Sequence, residues 1–199
     1  MDVDWNTSEE KLYAASVAAI RRFGQEHGRL PVCFFKFDSE PRYGYVLIGF
    51  DTLENNIRRV KKSEQTAIAK RRTRLNRPDS WKSAKHCLRN PRLAAFNTNS
   101  ASFAFPEYAQ LSFPDWRELA QGGEYPVGLA HQDDYLESSV RLVLWRVAER
   151  LVADEAFKPL TLASPFIVGY GFHDGEDVVL RLLNWPAGAP GDSIPTDGP

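Results

Sequence analysis

Two nearly continuous apolar runs, Val32–Phe37 and Tyr43–Phe50, lie close together in the first part of the chain. Both are rich in Phe, Tyr, Val and Ile, and Asp38-Ser39-Glu40-Pro41-Arg42 between them is turn chemistry, so the pattern predicts a β-hairpin. Runs this apolar must be covered on two faces over part of their length, which puts the hairpin at the centre of a sheet. Upstream, Leu12, Ala15, Ala19, Ile20 and Phe23 recur at helical spacing, with Arg21, Arg22 and Glu26 on the opposite face. Thr7 and Glu10 read as the capping box that opens this helix, and Gly28 as the residue that ends it. After the hairpin, Asp51 or Thr52 can cap a second helix that runs to about Asn76, where Arg77-Pro78 stops it. Its apolar stripe of Leu53, Ile57, Val60, Ala67, Ile68 and Leu75 is narrow and is interrupted by Glu64 and Arg71.

From Asp79 to Asn99 the pattern is irregular, with Trp81, Leu88, Leu93 and Phe96 as apolar anchors. At Tyr108–Phe113 a period of two returns, with Tyr108, Gln110 and Ser112 on the wet side of a strand and Ala109, Leu111 and Phe113 on the dry side. A short helix begins at Pro114 and ends at Gly122-Gly123. Asp134 and Glu137 form a second capping box ahead of the wide apolar face Leu136, Val140, Val143, Leu144, Val147, Leu151 and Val152, which marks a core helix. The runs Phe166–Phe172 and Asp177–Leu183 flank His173-Asp174-Gly175-Glu176, whose Asp-Gly pair suits a tight hairpin turn. Adjacent strands separated by helices, without βαβ alternation, predict an α+β fold: a mainly antiparallel sheet built from two hairpins plus an extra strand, with helices packed against it. Residues 1–185 form one domain in this reading, and the tail 186–199 is too poor in apolar surface to be ordered by itself, so it is expected to be mobile.

A chain of 199 residues with 43% hydrophobic content can bury a core without covalent staples. Cys33 and Cys87 lack CxxC spacing and follow no signal-like segment, which reads as reduced thiols in a cytoplasmic protein. No apolar run approaches the roughly 20 residues needed to cross a bilayer.

Charge changes the picture more. The formal net charge is −1, yet residues 53–92 hold thirteen Lys or Arg against three Asp or Glu, leaving the remainder strongly acidic. Arg58, Lys61, Lys62, Lys70, Arg71, Arg72 and Arg74, with Trp81 just beyond, are therefore the candidate partner-binding residues. Such a patch can steer an acidic protein surface, or neutralise phosphates while Trp81 offers a stacking face, or be a solvated helix face balanced by acidic neighbours. No helix-turn-helix, zinc-finger or RNP motif accompanies it.

Other chemistry is sparse. His27, His86, His131 and His173 share no metal-ligand spacing, and no P-loop or G-x-S-x-G is present. Cys33, beside Phe34 and Phe35, reads as a buried small hydrophobe. These residues point to a non-catalytic protein with no metal and no cofactor.

The aromatic strand pair, YGYVLIGFDT leading into a helix, the LSFPDW strand-to-helix step and the terminal SPFIVGYGFHDGEDVVLRLLNW together resemble the bacterial domain-of-unknown-function family 4303. The similarity touches most of residues 8–185. It implies a helix-flanked sheet domain in a bacterial, cytosolic protein, and some relatives in that family are suspected immunity proteins. The resulting expectation is a protein that binds an acidic partner, such as a cognate toxin, without catalysis. A nucleic-acid-binding module using the basic helix 53–77 is the alternative.

Overall fold

The hairpin predicted from the two apolar runs does lie at the centre of the sheet. The computed structural model describes residues 3–74, 99–122, 132–172 and 177–184, apart from the side chains of residues 64, 67–74 and 132–134. Strand β1 (Val32–Glu40) is joined by a 3₁₀ turn at Pro41–Tyr43 to β2 (Tyr45–Thr52). Strand β1 runs on to Glu40, further into the expected turn than the apolar pattern indicated, whereas β2 begins at Tyr45 rather than Tyr43. Gly44, at φ +66°, makes the reversal there, a backbone conformation that side chains rarely adopt. Among the described residues the sheet has five strands in the order β3 (Phe105–Ser112), β2, β1, β4 (Leu162–Phe172) and β5 (Asp177–Leu183). The β1–β2, β2–β3 and β4–β5 pairs are antiparallel, while β1 and β4 run parallel with Phe35 opposite Val168. Two hairpins thus stand side by side, with β3 added outside β2, as an α+β fold.

Three helices cover one face: α1 (Trp5–His27), α3 (Pro114–Gly122) and α4 (Gln132–Ala153). Phe35, Phe37, Ile48, Phe50, Phe166 and Val168 point toward them and are fully buried with Leu12, Ile20 and Phe23 of α1 and Val140, Leu144 and Val147 of α4. Phe23 stacks on Phe50 at 4.3 Å between ring centroids, and Phe113 on Trp116 at 4.0 Å. The opposite face carries a smaller cluster of Cys33, Phe34, Phe103, Ala163 and Ile167.

Three local expectations need correction. Helix α1 starts at Trp5, and its cap is Asp4, whose Oδ1 accepts from the Thr7 amide at 3.1 Å. Thr7 is therefore the third helical residue rather than the cap, because Asp4 offers the stronger acceptor one turn earlier. Helix α4 starts at Gln132, so Asp134 lies inside its first turn and is not the cap. In β3 the register slips between Ile48 and Phe50 on the facing strand, which turns Tyr108 from the wet side to the helix side. There its ring meets Phe23 and Phe50, and its hydroxyl donates to Glu26 at 2.6 Å. Residues 75–98, with Trp81, the predicted turn residues 173–176 and the stretch 185–199, expected to be mobile, lie outside the described residues.

Candidate functional site

Helix α2 (Leu53–Arg74) leaves the end of β2 and carries the basic cluster. Its start is fixed by polar groups. Thr52 Oγ1 accepts from the Asn55 amide at 3.3 Å, so Thr52 is the cap. Asp51, only 1% exposed, accepts from the Thr52 amide at 3.0 Å, Asn55 Nδ2 at 2.7 Å, Asn56 Nδ2 at 3.1 Å and the Ala104 amide at 3.0 Å. A carboxylate so enclosed is tolerable because donors surround it. It clamps together the end of β2, the first turn of α2 and the segment that follows the 3₁₀ turn at Ser100–Ser102.

This clamp changes the orientation of α2. Asn55 and Asn56 take the inward positions, Leu53 and Val60 are half-buried, and Ile57 is turned outward at 45% exposure. The sequence pattern placed Ile57 on the stripe facing the core. Asp51 needs amide donors, and supplying them from Asn55 and Asn56 rotates the apolar stripe partly into solvent.

The outward face is an open groove of about 1010 Å³ lined by Pro31, Leu53, Glu54, Ile57, Arg58, Lys61, Lys62 and Gln65. Two rows at i, i+4 spacing make its helical wall: Leu53, Ile57 and Lys61, then Glu54, Arg58 and Lys62. Arg58 is steadied by donating to Asn55 Oδ1 at 2.7 Å, so the amide whose nitrogen serves Asp51 also orients a groove cation. An apolar floor rimmed by three cations and one carboxylate can seat an acidic segment bearing an apolar side chain.

Of the residues picked from the sequence, Arg58, Lys61 and Lys62 are brought together here. Lys70, Arg71, Arg72 and Arg74 continue along the last turns of α2, where only the backbone is described, and Trp81 lies outside the described residues. Sequence reasoning missed the apolar floor and the Asp51–Asn55–Asn56 clamp. The signal for the clamp was present: two consecutive Asn in a helix's first turn, poor helix formers, beginning four residues after an Asp.

On the sheet face opposite α1, α3 and α4, Lys36 is 3% exposed and paired with Asp177, and Ser100 donates to Asp38. Gly171 makes room for this pair, since a Cβ there would lie 2.6 Å from Asp177 Oδ1 and 2.9 Å from Lys36 Nζ. The pair ties edge strand β5 to β1 across β4. Cys33 is fully buried, and desolvation, reinforced by the Asp51 charge, pushes its thiol well above the ordinary range. His27 packs on Phe23 and Phe105 beside Glu26. His86, His131 and His173 lie outside the described residues. Among the described residues no cluster of three or more His, Cys, Asp or Glu is placed to hold a metal ion, and no helix is long and apolar enough to cross a membrane. In comparisons with known proteins, no family model, no curated protein and no solved structure matches this chain.

Proposed function

We propose that this is a non-catalytic binding protein whose partner presents an acidic surface to α2. The observation that carries the reading is Ile57, 45% exposed in the midst of Arg58, Lys61 and Lys62 and above Pro31 and Leu53. A large aliphatic side chain held in solvent by a buried polar clamp gains nothing for the fold, whereas a partner covering it gains apolar burial. The surrounding cations would raise the association rate with an acidic partner. An immunity protein that occludes a bacterial toxin is the specific form of this role, supported by the resemblance of the strand and helix steps to family 4303. The same reading makes the protein bacterial and cytoplasmic.

Pulldown with the full chain as bait, followed by titration of salt, tests it. One tight protein partner whose affinity falls as ionic strength rises is the expected result. Retention of DNA or RNA in a low-salt gel shift, with no protein partner recovered, would replace this reading by the nucleic-acid one.

A further inference from the structure

We infer that a second copy of this chain docks, about a two-fold axis, on the edge of the domain formed by β5 and the outer side of α4. The two edge strands of the sheet are finished differently. On β3, Pro106 interrupts the strand, Lys11 Nζ donates to Ser112 O at 2.6 Å and Arg22 donates to Tyr108 O at 2.8 Å, so side chains of α1 occupy backbone acceptors there. Strand β5, the run DVVLRLL, has no Pro and no Lys, and among the described residues no strand pairs with its outer side. Apolar exposure gathers at the same place. Of the five exposed large hydrophobic side chains among the described residues, Leu142 at 42%, Trp145 at 44% and Leu182 at 40% belong to α4 and β5.

Helix and strand share one centre of symmetry. Arg146 and Arg150 of α4 pair with Glu9 and Glu10 of α1, so the side of α4 bearing Arg141, Trp145 and Glu149 at successive i, i+4 positions is turned away from α1. Arg141 lies over the Phe172 ring at 5.3 Å, and Glu149 accepts from Arg181 at 2.6 Å. Since Gly171 is opposite Asp177, α4 runs parallel to β5, and Trp145 is level with Val179. A two-fold axis normal to the sheet at that level sets β5 antiparallel to β5 of the second copy and α4 antiparallel to its α4. Trp145 then meets Trp145, and Arg141 meets Glu149 on both sides of it, giving an apolar centre with charged flanks that is complementary to itself. The bulge that leaves Leu180 without a partner on β4 shortens the straight part of the strand edge, so α4 supplies the larger share of the contact. Strands β4 and β1 separate this edge from β2, where α2 begins, so each copy keeps its α2 groove open.

Sedimentation velocity of the full chain, with no other protein present, tests this, so its failure leaves the acidic partner of α2 untouched. A dimer that dissociates on dilution is the expected species. Trp145→Glu is expected to leave only monomer. Arg141→Glu and Glu149→Arg are each expected to be monomeric alone, because like charges face each other across the axis, and to form a heterodimer when mixed in equal amounts, because each copy then meets its opposite. A parent chain that stays monomeric up to its solubility limit would overturn the inference, as would a mixture of the two charge variants that stays monomeric. A dimer that persists in Trp145→Glu, or one that is lost on Lys61→Glu with Lys62→Glu, would overturn it too, because either result places the contact elsewhere.

Discussion

Cys33 and Asp51 show how single residues set the limits of this fold. The Cys33 thiol is held neutral by burial, so it is expected to resist a maleimide at pH 8 until the protein unfolds, with peptide mapping as the readout. Because the shift is upward, its contribution to stability is complete below the unfolded thiol value of about 8.5 and is lost as pH rises above it, by up to about 1.4 kcal/mol per unit. The phenols of Tyr45, Tyr108 and Tyr170 are also raised by burial and act in the same direction near their own higher range. Denaturant midpoints that fall between pH 8 and 10 are the expected result, and a flat profile would contradict it. Asp51 is a different case. Asp51→Ala removes the acceptor shared by four donors, two of them on Asn55 and Asn56, and is expected to cost roughly 3–5 kcal/mol.

At the scale of elements, legibility followed from how much of each segment's placement is decided by apolar spacing. The central hairpin, the β4–β5 hairpin and α4 were readable because apolar burial decides their placement: Phe34 and Phe35 are buried on opposite faces of β1, and Leu136, Val140, Val143, Leu144, Val147 and Leu151 are buried as their spacing indicates. Leu144→Ala is expected to cost roughly 2–5 kcal/mol in an unfolding titration. Helix α2 was readable as a helix but not in its rotation, since Asp51, a polar group, decides which side faces inward. Strand β3 was misphased at Tyr108 because a bulge, set by pairing with β2, leaves no trace in a period of two. The candidate site was legible in its charges, Arg58, Lys61 and Lys62, and hidden in its floor, because Pro31 comes from another part of the chain. Edge strand β5 depends on a contact the sequence did not signal. Gly171→Ala is expected to disrupt the Lys36–Asp177 pair and cost about 1–3 kcal/mol, read as a lower thermal midpoint.

Across the whole molecule, stability and binding are placed in different regions. The main core lies between the sheet and α1, α3 and α4, while the basic face of α2 is outside it. Asp38 and Glu40 lie toward the far end of β1, away from the end where α2 begins. A variant that reverses charge on α2 should then fold normally and lose its partner. The most direct measurement is the affinity of the Lys61→Glu, Lys62→Glu, Arg71→Glu, Arg72→Glu protein for the partner recovered by pulldown, with thermal melts of both proteins alongside. An unchanged melt together with loss of binding is the predicted result. An unchanged melt with parental affinity would contradict the account, leaving the basic helix as a solvated face and the interface elsewhere.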